Sequence, residues 1–152
     1  MNYAQLEPWV HGGGEPLVVR TSGSSGEPKD VVLSHAAVLA SARASLERLG
    51  GPGHWLLALP VSGIAGIQVL VRSALAGREP VELVDHPSLR SAVDALDATT
   101  RRYAAVVPTQ LYRWAAADEL EALAELDAVL VGGAALDPDL RTRAEAAGVL
   151  LI

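Results

Sequence analysis

Short aliphatic runs that recur between helical patterns constrain this chain most. Trp55-Leu56-Leu57-Ala58-Leu59, Val81-Glu82-Leu83-Val84, Tyr103-Ala104-Ala105-Val106-Val107 and Ala128-Val129-Leu130-Val131 carry almost no polar side chain. A strand that alternates polar and apolar residues has one wet face; a continuous aliphatic run is buried on both. The segments between these runs have helical spacing. In His35–Leu49, Val38, Leu39, Ala42, Leu46 and Leu49 fall on one face, with Ser34 as cap and Gly50-Gly51-Pro52-Gly53 as stop. Ile64–Ala76 is apolar almost all round and should be largely buried. Ser88 caps a helix carrying Leu89, Val93 and Leu96. Pro108 suits the first turn of a helix through Ala117, and a helical turn follows near Glu119–Glu125. Asp137-Pro138 starts a last helix that Gly148 ends before a strand at Val149–Ile152. This alternation predicts an α/β fold with a mostly parallel or mixed sheet flanked by helices on both faces.

Residues 1–15 read as an irregular N-terminal segment, anchored by Trp9 and separated by Gly12-Gly13-Gly14. Residues 16–152 read as one α/β domain, with no internal repeat and no linker dividing it. Strands are expected at about 16–20 and 30–34, the second a hairpin partner of the first.

Between them lies Thr21-Ser22-Gly23-Ser24-Ser25-Gly26-Glu27-Pro28-Lys29. Glycines let backbone approach a ligand, hydroxyls and exposed N–H groups donate to anionic oxygens, and a lysine supplies a compact positive charge. The stretch therefore reads either as a loop that wraps a phosphate chain or as a mobile surface loop of the Ser/Gly kind. It is not the common P-loop, because the lysine falls three residues after Gly26 and not directly after a glycine.

Composition narrows the classes. Half of the 152 residues are hydrophobic, which makes the chain globular with a real core. No apolar run has spanning length, so no membrane association is expected. The first residues lack the charged and apolar regions of a secretory signal. Cysteine is absent, which excludes disulfides and thiolate metal sites and suits a cytoplasmic location. A formal net charge of −6 argues against general nucleic-acid binding. An anionic ligand then needs a local positive site such as Lys29.

In open α/β sheets, ligands sit outside the carboxyl ends of the strands. Four stretches are expected there: the loop 21–29, Pro60–Gly66, Pro108-Thr109-Gln110 and Gly132-Gly133-Ala134. Four loops at equivalent strand ends would line one cleft. Taken singly, Gly132-Gly133 also suits a plain strand-to-helix turn and Thr109 a helix cap. Gln68 and Arg72 share one face of the apolar helix, and Arg72 there either pairs with an acidic group, reaches solvent along its stem or binds an anion. The four histidines have no metal-ligand spacing, and no metal site is expected. His86 beside Asp85 reads as a turn, and Asp118-Glu119-Leu120-Glu121 as a solvated helix face.

Thr-Ser-Gly-Ser-Ser-Gly-Glu-Pro-Lys followed by Val-Val-Leu-Ser-His resembles the signature loop of the adenylate-forming acyl- and aryl-CoA synthetases. Leu59-Pro60-Val61-Ser62-Gly63-Ile64-Ala65-Gly66 resembles that family's second motif. Val107-Pro108-Thr109-Gln110-Leu111 and Val129-Leu130-Val131-Gly132-Gly133-Ala134-Ala135-Leu136 follow in the family's order. Over about residues 16–152 the combination is most similar to the ligases that act on o-succinylbenzoate in menaquinone biosynthesis. Other aryl- or fatty acyl-CoA ligases, or a non-catalytic nucleotide-binding or assembly module of the same fold, are the alternatives.

The resemblance implies a two-step reaction in which a small carboxylic acid attacks ATP and coenzyme A then displaces AMP, with Mg2+ present. It implies that Thr21, Ser22, Gly23, Ser24, Ser25, Gly26 and Lys29 hold phosphates. Gly132, Gly133 and Ala134 would flank adenine, and Ser62, Gly66, Arg72 and Thr109 would contact the acyl substrate. Two departures stand out. Asp30 replaces a usual glycine and must point away or weaken phosphate binding; Gly63 replaces a histidine found in many members. Residues 16–152 would then form a partial nucleotide- and acyl-substrate-binding α/β domain, part of the large N-terminal domain. The C-terminal domain with its catalytic lysine is not among them, so the chain by itself is expected to be inactive and no catalytic residue is assigned. Its exposed strand edges are expected to pair with a second copy, giving a homo-oligomer, or with a missing C-terminal portion of the same protein.

Overall fold

The computed structural model describes residues 1–22 and 28–152. Along the chain run α1 (Tyr3–Gly12), β1 (Leu17–Ser22), β2 (Pro28–Leu33), α2 (His35–Arg48), β3 (His54–Leu57), α3 (Ile64–Leu75), β4 (Val81–Glu82), α4 (Leu89–Asp94), β5 (Arg102–Val106), α5 (Pro108–Ala116), α6 (Leu120–Leu123), β6 (Ala128–Val131) and α7 (Pro138–Ala146). They fall into two compact units. One is Met1–Pro52 with Leu59–Glu79, the other Gly53–Ala58 with Pro80–Ile152.

In the first unit, α1 stands where irregular backbone is expected. Gln5 N donates to Asn2 Oδ1 and Asn2 N to Gln5 Oε1, each at 3.0 Å. This reciprocal box satisfies two first-turn donors that would otherwise be orphaned, and it outweighs the breakers that follow. Leu6 and Val10 are buried, and α1 packs against α3. Two imidazoles tie it down. His35 Nε2 lies 3.0 Å from Trp9 O, and His11 Nε2 lies 3.2 Å from Ala74 O at the end of α3. Trp9 anchors the exit through a 2.9 Å bond from Nε1 to Glu15 O.

β1 and β2 form the expected antiparallel hairpin, from Leu17↔Leu33 to Ser22↔Pro28. Along β1, Leu17 and Val19 are buried while Val18 is exposed, the two-residue alternation of a strand with one covered face, whereas β2 is exposed from Pro28 to Val32. Ser34 caps α2 by accepting from Ala37 N, and Val38, Leu39, Ala42 and Leu46 are buried as their spacing predicts. α3 packs on both α1 and α2 and is buried without interruption from Gly66 to Ala74.

The second unit holds a four-stranded parallel sheet in the order β4-β3-β5-β6. Leu56, Val93, Val106, Leu111, Leu123 and Val129 centre its core. Trp55 and Tyr103, both fully buried, pack with ring centroids 5.1 Å apart and planes tilted by 49° across β3 and β5. Burial also pushes the Tyr103 hydroxyl pKa up. Two expected strands are shorter than their aliphatic runs. β4 gives way to a 3-10 turn at Leu83–Asp85 that leaves Val84 exposed. Residues 149–152 make only a parallel bridge, Val129↔Leu151, supported by Val129 N→Leu150 O at 2.8 Å and Ile152 N→Val129 O at 3.0 Å. Ser88 and Asp137 cap α4 and α7 as expected. The fold is α/β, with a parallel sheet flanked by helices. No helix among the described residues is long and apolar enough to cross a membrane.

Candidate functional site

The first unit carries the hairpin end. Thr21 and Lys29 are paired in register, and Thr21 Oγ1 donates to Lys29 O at 3.3 Å. Lys29 is exposed. The backbone of Ser22 pairs with Pro28; Gly23, Ser24, Ser25 and Gly26, expected to bind phosphate, lie outside the described residues. Asp30 sits opposite Arg20, with Nε 3.4 Å from Oδ1. Successive strand residues face opposite sides, so Asp30 turns away from the face of Lys29. An exposed pair of this kind adds little stability; its effect is to spend the Asp30 charge on Arg20.

The same unit holds the Pro60–Gly66 turn. Gly63 N donates to Pro60 O at 3.2 Å, Gly63 takes the cap position of α3, and Ile67 N donates back to Gly63 O at 3.1 Å. Ser62 is exposed on this turn. Gly66 is buried so tightly that a Cβ would sit 2.2 Å from Pro60 O. Further along α3, Arg72 is only 7% exposed, so it does not reach solvent along its stem. Its Nη2 donates to Ser45 Oγ on α2 at 3.1 Å. Burial lowers its pKa to about 10, so the guanidinium stays charged at neutral pH. One turn earlier on the same face, Gln68 Nε2 donates to Val38 O at 3.3 Å.

The second unit brings Thr109 and Gly132-Gly133-Ala134 to the carboxyl ends of neighbouring parallel strands. Gly132 N donates to Val106 O at 3.1 Å, which stitches the exit of β6 to β5. Gly133 has φ 86°, the left-handed region that glycine enters without penalty. A Cβ there would also lie 3.3 Å from Val107 Cγ1. Gly132, Gly133, Ala134 and Thr109 are all exposed. Thr109 lies in the first turn of α5, and the cap position belongs to Val107.

Gln110 organises this edge, a role its position in the motif did not announce. Its Oε1 accepts from Val107 N at 3.1 Å and its Nε2 donates to Ala58 O at 2.6 Å, so one amide joins the ends of β3 and β5. The legible signal was a glutamine at the third position of a helix opened by proline. Gln110→Leu removes a partner from both main-chain groups. It is expected to lower stability by about 2 kcal/mol, read from the urea midpoint.

Other sequence candidates resolve simply. His86 Nδ1 lies 3.3 Å from Ser91 Oγ in the turn before α4. Among the described residues no three His, Asp or Glu side chains converge to hold a metal.

The chain belongs to the family of AMP-binding enzymes, whose model matches residues 17–151. It is 48% identical over 143 residues to a probable 2-succinylbenzoate–CoA ligase from Mycobacterium tuberculosis (strain CDC 1551 / Oshkosh), a match covering 90% of this chain and 37% of that protein. It is 34% identical over 131 residues to the 2-succinylbenzoate–CoA ligase of Escherichia coli (strain K12), covering 85% of this chain and 27% of that one. Among solved structures, wild-type E. coli MenE with a bound m phenylether-linked analogue of OSB-AMS aligns with TM-score 0.70 at 30% identity, over 88% of this chain and 28% of that chain. The chain thus spans roughly a third or less of the length of these relatives.

Proposed function

We propose that this chain belongs to an ATP-dependent acid–CoA ligase that activates o-succinylbenzoate. The observation that carries the reading is Arg72, a guanidinium buried on α3 and still charged at neutral pH. A dicarboxylic substrate suits such a group, because one carboxylate reacts while the other binds a cation. The relatives named as 2-succinylbenzoate–CoA ligases support the same substrate.

In the reaction, an oxygen of the reacting carboxylate attacks the α-phosphorus of ATP. The bond to the bridging oxygen of pyrophosphate breaks, and an acyl-adenylate forms. The sulfur of coenzyme A then adds to the acyl carbon and AMP leaves with the electron pair of the broken C–O bond. In this reading Thr21 and Lys29, with Ser22, Gly23, Ser24, Ser25 and Gly26, hold the leaving phosphates; donors aimed there stabilise charge that grows in the transition state. Gly132, Gly133 and Ala134 present bare backbone to the flat adenine. Ser62, Gly66 and Thr109 border the acyl group. Among the described residues, no three acidic or imidazole side chains converge to hold Mg2+.

Two titrations test the reading. Calorimetry with ATP is expected to show affinity falling about ten- to hundredfold in Lys29→Ala, the loss of a charge-assisted contact. Equal affinity in the variant removes Lys29 from the phosphate site. A panel of acids should favour o-succinylbenzoate over monocarboxylic acids, and a preference for monocarboxylates would move the substrate class to other aryl or fatty acids.

A further inference from the structure

We propose that Gln110 is a specificity-determining positioning residue: its side-chain amide sets the spacing of the β3 and β5 exits, and with it the crevice that receives the acyl group. The inference rests on the reading of Thr109 as an acyl contact. The sheet order β4-β3-β5-β6 fixes where such a crevice lies. The chain continues outward from β3 to β4 on one side and from β5 to β6 on the other, so the connections diverge between β3 and β5. Ligands of parallel sheets bind outside the carboxyl ends of the strands at such a switch point. The paired register of β3 and β5 ends at Leu57↔Ala105. Just beyond it, Gln110 Nε2 donates to Ala58 O at 2.6 Å and Val107 N donates to Gln110 Oε1 at 3.1 Å. One side-chain amide thus stands between the two main chains where the ladder stops.

The chemistry of the bridge is specific. Ala58 O can only accept and Val107 N can only donate, so the group between them must carry a donor and an acceptor. A primary amide has both on one rigid plane. A carboxylate keeps the acceptor and loses the donor, and a thioether of similar length loses both bonds. Gln110 follows Thr109 directly, and its bond from Val107 N closes the first turn of α5, on which Thr109 sits. On the other flank of β5, Gly132 N donates to Val106 O at 3.1 Å and fixes the exit of β6. The β5 exit is therefore held on one side by main chain and on the other by a side chain. Loss of the amide loosens the β3 side and leaves the Gly132–Ala134 side in place, so the acid should suffer and the nucleotide should not.

The test is calorimetric binding of o-succinylbenzoate and of ATP to the full chain, with melting curves beside it. Gln110→Glu keeps the bond from Val107 N, and with it the start of α5, but cannot donate to Ala58 O while ionised. At about pH 8 it is expected to weaken o-succinylbenzoate about tenfold, near the effect of one hydrogen bond, and to bind ATP within about threefold of the wild type. A protonated carboxyl can donate to Ala58 O again, and a carboxyl facing a carbonyl oxygen takes up its proton more readily than a free one. The affinity of the variant for o-succinylbenzoate, relative to the wild type at the same pH, should therefore recover between about pH 8 and about pH 5. Gln110→Met, which is neutral and makes neither bond, should weaken the acid at least as much, with no recovery at low pH. A residue that served only the fold would lose both ligands together.

Equal losses of acid and ATP in the two variants would make Gln110 merely structural and overturn the inference. Normal acid binding by Gln110→Met would overturn it too, because a loss confined to Gln110→Glu is then repulsion between two anions. A loss in Gln110→Glu that persists unchanged at low pH would remove the bond to Ala58 O from the account and overturn it as well. If Thr109→Ala weakens o-succinylbenzoate while both Gln110 variants bind it normally, the positioning role fails and the reading of Thr109 stands. If Thr109→Ala binds normally, or the wild type does not bind o-succinylbenzoate, that reading fails and takes the inference with it.

Discussion

Gly66→Ala is expected to lower the midpoint of thermal unfolding by roughly 5–10 °C. Two effects oppose each other at this position. Helix propensity alone favours alanine over glycine in a helix interior by about 1 kcal/mol. The contacts decide the other way. A Cβ on Gly66 would lie 2.2 Å from Pro60 O, 2.6 Å from Pro60 C and 3.0 Å from Leu59 O. All three atoms are main chain, so no side-chain rotation relieves the clash. Either α3 moves off the turn or the turn opens, and overpacking of this severity costs about 3 kcal/mol or more. Steric cost therefore exceeds the propensity gain. Gly63→Ala provides the internal control, because its Cβ would meet only Pro60 O at an ordinary 3.8 Å. Differential scanning calorimetry of the two variants decides the matter: a Gly66→Ala melting point at or above the wild type would mean the turn is not closed on α3. Because Ser62 and Gly66 border the acyl group in the proposed site, Gly66→Ala should also weaken acid binding, whereas Gly63→Ala should not.

Arg72→Met is expected to make the protein more stable and to cost at least a hundredfold in o-succinylbenzoate affinity. Burial lowers the Arg72 pKa to about 10, which corresponds to roughly 3 kcal/mol of disfavoured charge in the folded state. The unfolded state holds this proton more tightly than the folded state. The penalty is thus present in full below pH 10 and is relieved only as pH rises above about 10 toward the ordinary guanidinium value. Methionine matches much of the volume without the charge. The bond to Ser45 is lost, worth about 1 kcal/mol, but the Ser45 hydroxyl keeps its acceptor on Ser41. The relieved penalty exceeds the loss of that one bond, so the melting temperature is expected to rise at neutral pH. Melting curves and calorimetry on one preparation check both halves. A variant that loses stability would show that Arg72 serves the fold, and a variant that binds o-succinylbenzoate normally would remove it from the substrate site.

Much of this architecture was legible in residue order alone. Continuous aliphatic runs placed β3, β5 and β6 and their parallel pairing, because a strand buried on both faces cannot alternate. Ser34, Ser88 and Asp137 marked helix starts through the one chemistry available there, a side-chain oxygen for orphaned N–H groups. The hairpin of β1 and β2 and the grouping of Thr109 with Gly132–Ala134 at strand exits followed from the same patterns. α1 was not legible. Its hydrophobic face is only Leu6 and Val10, and it becomes a helix through the Asn2–Gln5 box and its packing on α3. The last residues fell short of a full strand because the bridge at Leu151 depends on what pairs beside it, which no local propensity encodes.

By itself, then, the sequence determined the class of the fold and the order of its elements from β1 to α7, since these rest on local periodicity and residue type. Only the tertiary structure decided three things: that Asp30 faces Arg20, that Gln110 joins two strand ends, and that Arg72 is buried against Ser45. Each depends on atoms brought together from distant or opposing segments, and the energy of a buried or paired polar group is set by those neighbours, not by its own place in the chain.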